Sequence, residues 1–190
     1  MMTNRSAGAR TASLRAALGI SQSDLATRSG CDPARLDRFE KGDLSPSLAP
    51  LARIARVLGV RLGTLLDDES SAGPVIVRRN APGGNERFQS VSSDGGAPPM
   101  EYLSMAAGKS GRHMDPFLVL VDPAANPPLS THEGEEFLYV LDGAVTLEYG
   151  KETYVLEAGD SIYYDSIVDH RIIAGGTSPA RLLSVLYAPT

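Results

Sequence analysis

The spacing of apolar residues in this 190-residue chain changes character after Leu66. Up to that point, Leu and Ala recur at the intervals of short amphipathic helices. Beyond position 74, short runs of Val, Ile, Leu and Tyr are separated by turn residues, as in an antiparallel sandwich or barrel. The stretch between is acidic and ends in Gly-Pro, which is typical of a linker. The pattern predicts an α+β multidomain protein with a helical domain over 1–66, a linker over 67–74 and an all-β domain over 75–190.

Local signals predict where the elements begin and end. Ser21 followed by Asp24 is a helix N-cap with an acidic third residue, and Asp32 before Pro33 is a second helix start. Five helices are expected, among them one from Ser21 to about Ser29, one from Asp32 to Gly42, a fourth from Ser47 to Gly59 and a fifth over 61–66. The expected strands lie at 75–77, 101–105, 117–121, 137–141, 145–149, 154–156, 161–164, 171–173 and 182–187, with a long loop within 80–99.

Charge is divided unequally between the two predicted domains. Residues 1–66 hold ten Arg and Lys against five Asp and Glu, a net charge of +5. Residues 67–190 hold eight against eighteen, a net charge of −10. A polyanion such as DNA is therefore attracted to the helical domain and repelled by the rest.

Composition also predicts a cytoplasmic protein without membrane contact. No stretch approaches the roughly 20 apolar residues of a membrane span, and the N-terminus lacks the apolar core of a signal peptide. Cys31 is the single cysteine, which excludes an internal disulfide and suits a reducing compartment.

The helical domain carries caps, turn glycines and apolar positions in one register. They are Leu18-Gly19-Ile20-Ser21-Gln22, Leu25-Ala26, Gly30, Leu36, Phe39-Glu40, Gly42, Pro46-Ser47, Leu51, Ile54 and Leu58. Over Leu14 to Leu66 this set resembles the Xre/Cro/C1-type helix-turn-helix family. Two short helices meet at a Gly-containing turn and the second is left projecting. The resemblance implies a homodimer that binds double-stranded DNA at a pseudo-palindromic operator.

The projecting helix offers specific groups to the DNA. With Leu36 and Phe39 facing inward, Ala34, Arg35 and Arg38 are left for the major groove. An arginine pairs with guanine, and an alanine contacts a thymine methyl. By resemblance, Gln22 contacts the DNA backbone. Lys41 is also assigned to the DNA-binding surface, and Asp37 either contacts cytosine or pairs with Lys41.

Two motifs in the β domain resemble those of cupin domains. They are Thr131-His132-Glu133-Gly134-Glu135-Glu136-Phe137-Leu138-Tyr139-Val140-Leu141-Asp142-Gly143, and Leu156-Glu157-Ala158-Gly159-Asp160-Ser161-Ile162-Tyr163-Tyr164 continuing to His170. The resemblance implies a double-stranded β-helix, or jelly-roll, barrel. It also implies that His132, Glu136 and His170 occupy metal-ligand positions. Ser130 stands where the family has a further histidine, and the proline expected in the second motif is replaced around Asp165.

Two interpretations of this cluster stay open. Two histidines and a carboxylate suit iron, zinc or nickel, or they form a polar cluster in an organic-ligand pocket. Ser130, Tyr102 and Arg112 are further candidates for the pocket wall. On the opposite strand face, Phe137, Tyr139 and Leu141 need a cover, which the second sheet, a linker segment or a partner subunit would each provide.

The leading hypothesis is a transcriptional regulator, not an enzyme, whose barrel senses a small-molecule effector. The alternative is a mononuclear non-haem iron enzyme. The fosfomycin-pathway epoxidases resemble this architecture, and His132, Glu136 and His170 would then hold the iron.

Overall fold

The computed structural model describes residues 7–44, 47–66, 73–78, 87–89, 100–109, 111–124 and 126–189. Most of the predicted linker and most of the predicted loop within 80–99 lie outside these residues. The domain boundaries therefore stay a prediction. None of the helices in the described ranges is long and apolar enough to cross a membrane.

In the described residues of the first part of the chain there are five helices, as expected. They are α1 (Ala7–Ala17), α2 (Gln22–Ser29), α3 (Pro33–Lys41), α4 (Leu48–Val57) and α5 (Leu62–Leu66). Leu25, Leu36, Leu51, Ile54 and Leu65 are buried between them. Leu18, expected among the apolar core positions, is 53% exposed because α1 ends at Ala17 and Leu18 lies in the following turn.

The predicted caps set the boundaries of α2 and α3. The Ser21 hydroxyl accepts a hydrogen bond from the Asp24 amide at 3.0 Å, and the Asp32 carboxylate accepts one from the Arg35 amide at 2.9 Å. α3 ends at Gly42, whose φ of 84° is in the left-handed region that glycine adopts without strain. These bonds satisfy amides that have no partner within a helix.

Among the described residues, nine strands form two antiparallel sheets. One has the order β1 (Arg87–Gln89), β2 (Met100–Ser104), β3 (Met114–Val121), β9 (Ala180–Tyr187), β4 (Glu135–Asp142), β7 (Ser161–Asp165). The other has the order β6 (Glu152–Glu157), β5 (Ala144–Tyr149), β8 (His170–Ala174). The sheets enclose an apolar interior that includes Phe117, Val119, Leu138, Leu147 and Leu182. The α+β architecture with a C-terminal cupin-like barrel is therefore confirmed.

One strand expectation requires correction, and one observed strand was not predicted. The strand predicted at 75–77 is wrong, since the segment is described without secondary structure and Ile76 is 72% exposed. β-branched composition alone does not make a strand where no neighbouring backbone supplies hydrogen bonds. β1, which was not predicted, lies inside the segment expected to contain a long loop, and it pairs with β2 in the register Phe88 to Tyr102.

Candidate functional site

Three polar side chains meet inside the barrel. His132 precedes β4, Glu136 lies on β4, and His170 begins β8 in the other sheet. Glu136 Oε1 is 2.9 Å from His132 Nε2 and 3.4 Å from His170 Nε2. The backbones of Ser130 and His170 exchange two hydrogen bonds, which draws β8 to the segment before β4. The structure thus brings together three residues that the sequence places up to 38 positions apart.

Backbone carbonyls orient both imidazoles. His132 Nδ1 lies 3.1 Å from the Glu133 carbonyl oxygen, and His170 Nδ1 lies 2.8 Å from that of Val168. Because a carbonyl oxygen only accepts hydrogen bonds, each Nδ1 carries a proton. A neutral imidazole then directs the Nε2 lone pair at the Glu136 carboxylate, which is also an acceptor. A proton on Nε2 or on the carboxylate, or a cation between the three groups, removes this conflict.

The environment of Glu136 keeps it ionised. Burial raises the pKa of the Glu136 carboxyl. The hydrogen bonds and charges of the two histidines lower this pKa by more than burial raises it, so the net pKa lies well below the usual range. Burial lowers the pKa of His170, and the hydrogen bond with Glu136 raises it to a net value above normal. The Tyr164 hydroxyl donates to Glu136 Oε2 at 2.9 Å, and Ser166 Oγ donates to Oε1 at 3.2 Å.

The three groups fit a divalent metal. Ligands held about 2.1 Å from an ion lie about 3.0–3.4 Å apart at angles of 90–110°, and the two separations from Glu136 Oε1, 2.9 and 3.4 Å, are close to this range. The donor atoms of all three residues lie within 4.8 Å of one another. Each histidine also has the carbonyl partner on Nδ1 that usually orients a metal ligand. His132, Glu136 and His170 therefore form a candidate metal site.

A cavity of about 470 Å³ extends from this site toward the helical domain. Its size falls in the range of small-molecule pockets. The barrel supplies mainly apolar walls with Ser130 and Ser184 near the site, and Tyr102 lies among the wall residues. The helical domain contributes the end of α2, the start of α3 and α4 to the lining, and because Asp32 and Arg35 are exposed there, this part of the lining forms the mouth. The wall residues of the barrel are Met100, Tyr102, Val119, Pro127, Pro128, Leu129, Ile172 and Leu186.

The helical domain contacts the chain on both sides of His132. Arg53 of α4 donates to the Thr131 carbonyl oxygen at 2.8 Å, and Arg56 pairs with Glu133 at 2.6 Å. Arg53 also donates to the Ser29 carbonyl oxygen at the end of α2. A single guanidinium therefore links the turn of the helix-turn-helix unit to the neighbour of a site histidine.

A second contact between the domains involves Arg112. Its guanidinium pairs with Asp115 at 2.6 Å and lies so close to α5 that a Cβ on Gly63 would stand 2.7 Å from Arg112 Cζ. Arg112 is buried at this contact with α5 rather than in the wall of the main cavity. Its location is explained by packing between the domains, which the local sequence does not encode.

The outer face of α3 is open and basic. Ala34, Arg35 and Arg38 are exposed, whereas Leu36 and Phe39 are buried as expected. The helical spacing alone separates these two faces, because residues three and four apart lie on one side of a helix.

The other predicted DNA-binding residues already have protein partners. Gln22 is half-buried, and its amide donates to Glu40 at 2.9 Å beside the bidentate pair between Arg15 and Glu40. Lys41 is exposed and pairs with Asp37 at 2.6 Å, which is one of the two roles considered for Asp37.

Arg53 was not among the predicted site residues. It lies on a helix whose spacing predicts only packing, and its partners Ser29 and Thr131 belong to other elements. Tyr164 was likewise not assigned a role, although strand register places it opposite Glu136. Alternation along β7 could have indicated the inward position of Tyr164, but no sequence signal indicates the contact of Arg53.

Comparisons with known proteins agree with this architecture. The helix-turn-helix family model matches residues 12–65, and the cupin domain model matches residues 117–186. The chain is 24% identical to the HTH-type transcriptional regulator PuuR of Escherichia coli strain K12, covering 96% of this chain and 95% of that protein. It is 27% identical to the (S)-2-hydroxypropylphosphonic acid epoxidase of Streptomyces wedmorensis, covering 86% of each.

A solved structure supports the fold over the full length. The HTH_3 family transcriptional regulator from Vibrio cholerae superposes with a TM-score of 0.68 at 20% identity, covering 96% of this chain and 95% of that chain. Residues 12–65 therefore match a helix-turn-helix domain, residues 117–186 match a cupin domain, and the fold of the whole chain is similar to that of this regulator.

Proposed function

We propose that this chain is a sequence-specific DNA-binding transcriptional regulator whose barrel binds a small-molecule effector next to a divalent metal. The observation that carries this proposal is the exposed basic face of α3. The domain that contains α3 is also hydrogen-bonded, through Arg53, to the backbone of Thr131 beside His132. The likeness to PuuR over nearly the whole length supports the same class of protein.

Each DNA-facing side chain has a role in this proposal. Arg38 pairs with guanine in the major groove, Ala34 contacts a thymine methyl, and Arg35 contacts a base or a phosphate. Gln22 and Lys41 contact the DNA backbone. Both have protein partners in this structure, so these partners have to be exchanged for phosphate when DNA binds.

In the barrel, His132, Glu136 and His170 hold the metal, and iron, zinc and nickel all accept such a ligand set. A bound metal would supply a Lewis-acidic centre at the inner end of the cavity. Ser130 and Tyr102 contact the effector from the wall. Arg112 is not part of this proposal, because its buried pair with Asp115 lies at the contact with α5.

Operator binding without metal tests the proposal. We expect the purified protein to bind a fragment of its own upstream region at low salt, measured by fluorescence anisotropy. We expect a metal chelator to change the affinity without abolishing binding, because the α3 face is formed by the helical domain. Failure to bind any such fragment at low salt would contradict the proposal.

A second candidate function is supported by the open metal site. Three protein ligands leave positions for a substrate and for oxygen, as in non-haem iron enzymes, and the epoxidase of Streptomyces wedmorensis is 27% identical. The protein would then bind one Fe(II) per chain, consume oxygen only with a substrate and show no operator binding. If metal-free protein still binds the operator, the basic face of α3 serves DNA binding, and an enzymatic role alone does not account for it.

The proposed dimer uses the outer face of the larger sheet. On this face Tyr139, Leu141, Tyr163 and Tyr187 are 38–62% exposed, an apolar patch of the kind that marks interaction surfaces. Two chains joined here carry two helix-turn-helix domains, as a pseudo-palindrome requires.

We expect Tyr139→Glu to convert the dimer to a monomer in analytical ultracentrifugation, because it places a charge in the apolar interface. Val155→Glu is the control, since Val155 is 68% exposed on the smaller sheet. A monomeric wild-type protein, or dissociation by both variants, would argue against this interface.

A further inference from the structure

The two ends of the cavity differ in chemistry. The inner end is the site formed by His132, Glu136 and His170, and the walls beyond it are apolar. The mouth is lined by Arg35 of α3 and Arg53 of α4, both from the helical domain. A ligand that fills the cavity therefore passes from the metal site, along hydrocarbon, to two guanidinium groups.

Neither of these arginines forms an ion pair with a carboxylate within the described part of the chain. Among the described residues, the Arg53 guanidinium donates to the carbonyl oxygens of Ser29 and Thr131. The guanidinium of Arg35 is exposed and has no side-chain partner among the described residues. Arg171 also lines the cavity, but Glu148 holds it in a bidentate pair.

An acidic group offsets only part of this positive charge at the mouth. Asp32 lies there too, and its carboxylate, which accepts a hydrogen bond from the Arg35 amide as the N-cap of α3, balances one of the two guanidinium charges. The carboxylate of Glu136 belongs to the inner end, where two histidines surround it. The mouth therefore suits an anion, because a carboxylate forms strong charge-assisted hydrogen bonds with guanidinium groups.

We propose, on the basis of the proposed function, that the effector is an organic acid with an apolar body, whose carboxylate binds between Arg35 and Arg53. Its hydrocarbon part lies along Met100, Val119 and Ile172. This assigns a ligand class to the cavity and a position to the acidic group.

Arg35 gives this ligand a direct effect on DNA. The same guanidinium is exposed on the face of α3 assigned to the DNA, so carboxylate and DNA compete for it. Binding of the acid therefore weakens DNA binding, and DNA weakens binding of the acid by the same factor. The wild-type protein is a repressor released, or an activator inhibited, by the acid.

The test uses straight-chain monocarboxylates from butyrate to decanoate, with the matching primary alcohols as uncharged controls. Isothermal titration calorimetry on the full chain measures binding, and anisotropy measures operator affinity at constant ionic strength. We expect at least one acid to bind roughly tenfold more tightly than its alcohol, as one charge-assisted contact requires.

Arg35→Met and Arg38→Met are the paired variants, since both lie on exposed positions of α3 but only Arg35 lines the cavity. We expect Arg35→Met to weaken acid binding roughly tenfold, and Arg38→Met to leave it unchanged. The acid is expected to lower operator affinity in wild type and Arg38→Met only.

Several results overturn the inference: no acid binds at millimolar concentration, acids and alcohols bind equally, or Arg35→Met binds the acid as wild type does. If the acid binds through Arg35 but no operator is bound, the ligand class stands and the regulatory function fails. If the protein binds the operator but not the acid, the DNA-binding function stands and the proposed ligand class fails.

Discussion

Replacing Glu136 with glutamine is expected to reduce metal affinity by more than the roughly 10–100-fold that loss of an outer-shell partner costs. The carboxylate is the one anionic ligand of the site, and a neutral amide does not balance a divalent charge. The two Nε2 atoms, at 2.9 and 3.4 Å from Glu136 Oε1, would lose the group that holds them around a common centre. Cobalt(II) titration followed by absorption, and metal content after dialysis, measure the loss.

Glu157→Gln is the matched control for this change. Glu157 is exposed at the end of β6, so the same chemical substitution there removes a charge without touching the barrel interior. Circular dichroism shows whether both variants keep their sheets. Wild-type metal affinity in Glu136→Gln would contradict the metal site, and equal losses in the two variants would assign the effect to overall charge.

The features predictable from this sequence are those fixed by local chemistry. Ser21 and Asp32 cap their helices because their side chains reach amides three residues along, a relation contained within a few positions. Alternation along β4 puts Glu136, Leu138 and Val140 on one face, and the structure buries the two apolar residues. Such periodicity survives folding because one face of each strand has to leave water.

The features missed depend on contacts between distant segments. Nothing in the residues around Arg53 indicates that its guanidinium bridges Ser29 and Thr131, which lie 24 and 78 positions away. The position of Arg112 outside the wall of the main cavity was not predicted for the same reason. Its guanidinium lies against Gly63 because α5 packs on the barrel. The strand expected at 75–77 had the right composition but no partner strand among the described residues.

Replacing Arg38 with alanine is expected to weaken operator binding by about 1–3 kcal/mol per half-site, the discrimination that one bidentate arginine–guanine pair provides. In a dimer both half-sites lose the pair, so the total reaches about 2–6 kcal/mol. Preference for guanine at the contacted position should be lost as well, which a phosphate contact would not produce. Arg38 is exposed and alanine favours helices, so α3 is expected to stay folded.

Anisotropy with the wild-type operator and with the guanine substituted measures both effects, and Lys151→Ala is the control. Lys151 is an exposed cation of the barrel domain, in the turn between β5 and β6, so its removal changes net charge equally. Equal weakening by both variants would mean that affinity follows the overall charge of the chain. A loss confined to Arg38→Ala, with relaxed base preference, would assign recognition to the α3 face. The net charge of +5 on residues 1–66, against −10 on the rest of the chain, would then account for the attraction of this domain to DNA. The side chains of α3 would account for sequence specificity.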